Sequence, residues 1–436
     1  MRRPLAVALA TAALLVLTPL AGPASAQAPV TKRIAVVVIQ NGDTANERTQ
    51  LADTAYYRNV FFGGSDSLAT WMTAVTHGQL TYVPAGDGVF TAAPSTELAN
   101  ADKGGCHTGL ARTNAESHLS AAGVSWDALA VVYDIALCGW GGLGQVPGKI
   151  TWYPPRPSLS AIVHEIGHNQ GYPHQSKKDC AKGDLAVCKD SGYSGNTPMG
   201  SGGSGRGYSS VEMLHSGWAQ PGWKQTATSP GTFSLKPLHA AVSVTGVRIL
   251  EYKASSTVTY IVETRAPASG VDSAISNPGV RVYVVTRTDY RNGSLINPGT
   301  ASTPFAPAGT VIKDMANKIS ITVRSSSSSG AQVSVESLSP KPSSPAASKP
   351  AAPSPSVTPS PEESPSSSAS ADPVPDKESD LIDAAGAPPR KSGLSAGTIF
   401  LIIGLGMVLA LATVTGYFLR PGRRKARHRK PLFERL

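Results

Sequence analysis

Residues 164–174 read His-Glu-Ile-Gly-His-Asn-Gln-Gly-Tyr-Pro-His, so three of the chain's nine histidines fall within eleven positions. His164 and His168 are four apart. On a helix they share one face and can offer imidazole nitrogens to a single cation. Gly171 can take the left-handed conformation that ends a helix, and Pro173 discourages its continuation. The chain can then return His174 as a third ligand. Three neutral nitrogen donors leave a zinc ion its full charge and an open coordination position, the pattern of a catalytic site. Glu165 adjoins the first ligand and is placed to reach a water molecule rather than the metal. This set predicts amide hydrolysis. Glu165 takes the proton of the attacking water, the cation stabilises the oxyanion, and Glu165 returns the proton to the leaving amine.

Such a site needs a buried helix beneath a sheet. Ser158 or Ser160 can start the helix, and Ile162, Val163 and Ile166 supply its apolar face. Upstream, 32–40 (KRIAVVVIQ) reads as a buried strand, 80–83 as a short one, 129–135 as buried and 149–153 as edge-like. Ser65 can cap a helix through Leu68, Trp71, Met72 and Val75, and 108–122 is a second helical stretch. The order implies an α/β layer, a twisted mixed sheet with packed helices. From about residue 222 the pattern becomes short strands, at 232–235, 247–252, 257–263, 279–285, 309–312, 319–323 and 332–335. That spacing predicts a β-sandwich-like domain. It carries no catalytic constellation and reads as an accessory region.

The ends read as targeting devices. Met1-Arg2-Arg3, an apolar run over 5–17 and Pro23-Ala24-Ser25-Ala26 form a signal peptide cleaved near Ala26. Residues 396–419 hold no charge and suffice to span a bilayer as one transmembrane helix. Eight basic residues follow within 420–435, which sets the tail inside and the head outside. No LPxTG-type sorting signal precedes the span. Between them, 339–392 is rich in Pro, Ser and Ala and reads as a disordered stalk. The expected organisation is signal peptide 1–26, zinc protease domain 27–221, β-rich domain 222–338, stalk 339–392, span 396–419 and cytoplasmic tail 420–436. The protein is thus expected at the cell membrane, single-pass, with its catalytic head outside.

The formal charge of +10 on 436 residues gives no nucleic-acid signal once distributed. Residues 27–338 hold 24 basic and 21 acidic side chains, an ordinary surface. The four cysteines suit an exported head. They allow three pairings, of which Cys106–Cys138 with Cys180–Cys188 is favoured because the second closes the short loop CAKGDLAVC. His77, His107, His118 and His215 read as core or surface residues, His107 beside Cys106 being the one to watch.

The motif resembles that of metzincin zinc proteases, which carry a Met-turn beneath the metal after the third histidine. Here Ser194-Gly-Asn-Thr-Pro-Met199-Gly200 follows, and Met199 between Pro198 and Gly200 fits that turn better than Met213. The run 190–218 is most similar to the gametolysin family. The resemblance implies a metzincin-like catalytic domain, Zn2+ as cofactor, and a surface endopeptidase cutting extracellular proteins or peptides, wall glycoproteins included. Some metzincins place a zinc-binding tyrosine two residues after the methionine. Position 201 is Ser, which leaves Tyr193 and Tyr208 as candidates for oxyanion support. Only a few residues separate Ala26 from the first strand, too few for the blocking pro-segment of many relatives. Two other readings compete: a zinc amidase acting on cell-wall peptides, and a surface binding or adhesion module with an inactive site. The intact Glu165 argues against the second.

Overall fold

Strand β1 (Val30–Ile39) is completely buried from Ile34 onward. A continuous β-branched run suits a central strand covered on both faces. In this computed structural model, which describes residues 28–101, 105–134, 138–268, 270–299, 305–338 and 381–383, β1 is central to the first sheet. It pairs in parallel with β2 (Leu80–Ala92) on one side and β3 (Ala128–Val132) on the other. Beyond β3 lie the parallel β5 (Ile150–Tyr153) and then β4 (Leu143–Gln145), antiparallel to β5. The molecule is mixed α/β with twisted sheets and few helices.

Parallel neighbours need crossovers. The first runs through α1 (Ala45–Ala52), α2 (Thr54–Phe62) and α3 (Leu68–Val75), the second through α4 (Thr96–Ala99) and α5 (Thr108–Ala121). Thr44 and Glu47 form a capping box at α1. Two details differ from the sequence reading. Ser67, not Ser65, caps α3 by accepting from the Thr70 amide. The stretch 149–153 is not an edge: every residue of β5 is buried, because β4 covers its outer side.

The rest of the chain forms two further sheets. One has seven strands: β6 (Ser176–Asp179), β7 (Lys189–Tyr193), β8 (Lys224–Ala227), β10 (Ile249–Lys253), β11 (Val258–Arg265), β12 (Gly279–Thr286) and β13 (Ser294–Asn297). The other has four: β9 (Gly231–Leu235), β14 (Val311–Asp314), β15 (Ile319–Ser327) and β16 (Gly330–Ser337). Alternation along the strands gives the seven-stranded sheet two apolar faces. Leu250, Tyr260, Val262 and Val282 pack with Phe233, Ile321 and Val333 of the four-stranded sheet. Ile249, Ile261, Tyr283 and Leu295 face the other way, into one cluster with Trp71, Met72, Ile162, Ile166 and Met199. Sheet membership therefore crosses residue 222. Strands β6 and β7 lie before it, yet β6 pairs in parallel with β13.

Leu381–Asp383 adds a short antiparallel strand, β17, outside β4. The signal peptide, the remainder of the stalk, the span 396–419 and the tail lie outside the described residues. Among the described residues no helix is long and apolar enough to cross a membrane. Both expected disulfides are present, Cys106–Cys138 and Cys180–Cys188.

Candidate metal centre

Helix α6 (Leu159–Asn169) starts at Ser158, whose hydroxyl accepts from the Ala161 amide at 3.2 Å. It buries Ile162, Val163 and Ile166 completely. Asn169 fixes its other end, donating to the carbonyls of Gln145 (3.0 Å) and Ile150 (3.1 Å). Gly171 then turns the chain at φ +92°. Its amide bonds the His168 carbonyl at 2.8 Å, closing the helix where the motif required.

The three histidines meet. Their ring centroids are 4.8 Å (His164–His168), 5.2 Å (His164–His174) and 5.0 Å (His168–His174) apart. One ligand atom from each lies within 4.8 Å of the others. Their outer nitrogens are engaged by the surrounding backbone. His164 Nδ1 donates to the Pro198 carbonyl at 2.8 Å, and His168 Nδ1 to the Tyr172 carbonyl at 2.7 Å. Each bond turns Nε2 inward, where His164 Nε2 lies 3.2 Å from His174 Nε2, the tautomer a cation requires. Burial lowers His164 to about 4 and His168 to about 3, and also lowers His174. All three are neutral at pH 7, as ligands must be.

Of the nine buried side-chain atoms without a hydrogen-bond partner among the described residues, two belong to the cluster, His168 Nε2 and Glu165 Oε2. Native proteins seldom leave such groups orphaned. A cation among the histidines, with a water beside Glu165, would satisfy both, so the residues present fit a zinc ion. Burial pushes the Glu165 carboxyl well above the usual range.

Met199 is fully buried in a short 3-10 turn, Pro198–Gly200. The turn does two things. Its Pro198 carbonyl orients His164, and its Met199 sulfur sits where a side chain on Gly167 would stand. Of the two candidate tyrosines, Tyr208 is wholly buried, its hydroxyl donating to the Val163 carbonyl at 2.9 Å. Tyr193 is 41% exposed, with its hydroxyl 3.4 Å from His174 Nδ1. Met213 is buried on α7 (Ser210–His215). His77 stacks on His239, and His107 lines a separate cavity of about 440 Å³ beside Cys106 and Cys138.

Sequence reasoning missed the support from β4. A Cβ on Gly142 would meet the Glu165 carboxyl oxygen at 2.8 Å, and one on Gly144 would meet His168 Cβ at 2.9 Å. The run Gly141-Gly142-Leu143-Gly144 was the available signal. It marks a strand that must approach a helix closely.

Residues 127–288 match the family model described as Gametolysin peptidase M11. That span opens one residue before β3, closes just after β12 and contains the three histidines, Glu165 and Met199. Over this stretch the chain is similar to a gametolysin-like metalloprotease family, whose members are in general zinc-dependent. No curated protein matches the chain. A solved structure described as "Structure of a chaperone-substrate complex" is 15% identical with a TM-score of 0.24. The match covers 34% of this chain and 24% of that one, a likeness too slight to bear on fold or function.

Proposed function

We propose that the protein is a cell-surface zinc endopeptidase that hydrolyses peptide bonds of extracellular proteins, with His164, His168 and His174 as metal ligands and Glu165 as general base. The observation that carries this reading is the meeting of three neutral, inward-facing imidazoles beside Glu165, whose Oε2 has no partner and which rides on the helix that carries two of them. The family match supports it.

A bound zinc ion would supply Lewis-acid activation of water and of the scissile carbonyl. The chain's own residues do the rest. Glu165 is held by burial at a raised pKa; with a cation bound nearby it would return towards the ionised form. It then accepts the proton of the attacking water and delivers it to the leaving amine. Tyr193 sets its hydroxyl 3.4 Å from His174 Nδ1, where it orients that ligand as the Pro198 and Tyr172 carbonyls orient the other two. The signal peptide, the stalk and the charge-free span 396–419 support a head displayed outside the membrane.

The test compares the full-length chain with its Glu165→Ala variant, following casein cleavage and bound zinc in the same samples. Both should hold zinc, with cleavage reduced about 10²–10⁴-fold in the variant. Zinc in both and cleavage of casein or a peptide library by neither would remove the general endopeptidase. Activity on wall peptides alone would then favour the amidase, and no hydrolysis at all a binding module.

A further inference from the structure

The third ligand comes from a different part of the fold than the other two. His164 and His168 ride on α6. His174 directly precedes Gln175 and β6, and β6 is held by the seven-stranded sheet. Leu295, Ile296 and Asn297 of β13 pair with Lys177, Lys178 and Asp179. The distance from the helix pair to His174 is therefore set by how this sheet docks on the helix.

Gln175 sits at that joint, 4% exposed. Its amide donates to the Met199 carbonyl at 3.0 Å, and its carbonyl accepts from the Ser194 amide at 2.9 Å. Its Nε2 donates to Ser209 Oγ at 2.7 Å and reaches Glu212 Oε1 at 3.5 Å, while its Oε1 accepts from Ser194 Oγ at 2.8 Å. One side chain thus ties the ligand strand, the loop before the Met-turn and the start of α7 together. The layer continues into the sheet. Asn196, two residues after Ser194, donates to Tyr283 Oη at 2.7 Å and accepts from Arg281 Nε at 3.1 Å. Tyr283 in turn donates to Glu263, which also takes the Ser210 amide at 2.6 Å.

We propose that Gln175 is a positioning residue for the metal centre, fixing His174 against the Met-turn and making the seven-stranded sheet part of the metal site. A buried hydrogen-bonded network favours one arrangement, because a shift strands further polar atoms in a low dielectric. This inference rests on the metal-dependent reading above.

The test is metal affinity of the folded chain, not activity. Full-length wild type, Gln175→Met, Ser194→Ala and His174→Ala are stripped of metal and titrated with Co2+ and Zn2+ against a competing chelator. The visible Co2+ spectrum is recorded, with the melting temperature of each metal-free chain. Gln175→Met keeps the side chain's length without its hydrogen bonds. It should lose about 10–100-fold in affinity, as outer-shell partners of metal ligands do, and change the Co2+ band. Ser194→Ala, a milder cut in the same network, should weaken binding in the same direction even if Gln175→Met does not fold. Affinity and spectrum within two-fold of wild type in the folded variants, whatever the melting temperature, would overturn the proposal. If wild type and His174→Ala bind metal equally or not at all, the metal-site reading itself has failed.

Discussion

Glu165 Oε2 and His168 Nε2 are buried atoms that the protein alone does not satisfy, and the surrounding residues are chosen to keep them so placed. Gly167 shows how tight the packing is. It stands between the two helix ligands, and a Cβ there would collide with the Met199 sulfur and come within 3.2 Å of the Tyr208 hydroxyl. Helix propensity favours Ala over Gly by up to about 1 kcal/mol. Overpacking costs about 1–3 kcal/mol, and the collision should win. Gly167→Ala is expected to lower the unfolding free energy by that amount in a denaturant titration. A variant as stable as wild type would mean that Met199 can move aside. Four sequence readings, the histidine triplet, Glu165, Met199 and Gly171, correspond to residues that the fold gathers. The role of Gly167 was hidden, since a glycine inside a helix gives no sign of what approaches it.

At the scale of elements, α6 works because both its ends are fixed. Asn169 pins it to β4 and β5, and Gly171 turns the chain so that Tyr172 can offer its carbonyl to His168. Gly171 lies at φ +92°, and a Cβ there would meet His215 Nε2 at 3.1 Å. The left-handed region costs a non-glycine residue roughly 1–2 kcal/mol. Gly171→Ala should lose at least that much stability, and it should weaken zinc binding because the turn carries both Tyr172 and His174. Unchanged zinc affinity in a chelator competition would count against the turn as the link. The elements that the sequence missed, α1, α2, α4, β4, β6, β7, β8, β13 and β17, are mostly short or polar. Strand β6 (SKKD) has no apolar alternation at all. It is a strand because β13 and β7 offer it hydrogen bonds, a tertiary cause that no local pattern carries.

Across the whole molecule, the helix-bearing layer and the β-rich sheets share an interior that titrates. His77 follows α3, His239 follows β9, and their rings stack at 5.6 Å, with His77 edge-on to Trp223 at 4.6 Å. Burial, aided by His239 and Arg248, lowers His77 to about 3, and burial lowers His239 as well. The unfolded chain takes up these protons near pH 6.5, the folded chain at lower pH, far lower for His77. The stability they contribute is therefore present above about 6.5 and lost as the pH falls. Glu212 opposes this, since burial holds it up at about 7 and it gains a proton before its unfolded counterpart does. Glu165, also raised by burial, acts as Glu212 does, but His164, His168, His174 and His215 are lowered along with the stacked pair, so the histidines outnumber the two carboxyls. The metal-free chain should lose stability between pH 7.5 and 5.5 by denaturation midpoint. His77→Phe should flatten that slope by up to about 1.4 kcal/mol per pH unit. Identical slopes would show that His77 is protonated as readily in the fold as outside it.

The sequence by itself determined the chemistry and its local frame. The spacing of His164, Glu165 and His168 is a helical period, so a helix alone brings them to one face. The apolar face at Ile162, Val163 and Ile166 dictates where that helix is buried. The two disulfides followed from loop length, and the buried strands β1 and β3 from unbroken apolar runs. Only the tertiary structure placed β6, which follows His174, beside β13, a strand 118 residues further along the chain. Only it separated Tyr208, buried against the Val163 carbonyl, from Tyr193, exposed beside His174, which the sequence offered as equals. The physical reason is range. Periodicity reports contacts three or four residues apart, whereas hydrogen bonds between Gln175, Ser209 and Glu212, or between Asn196 and Arg281, exist only once distant segments have docked.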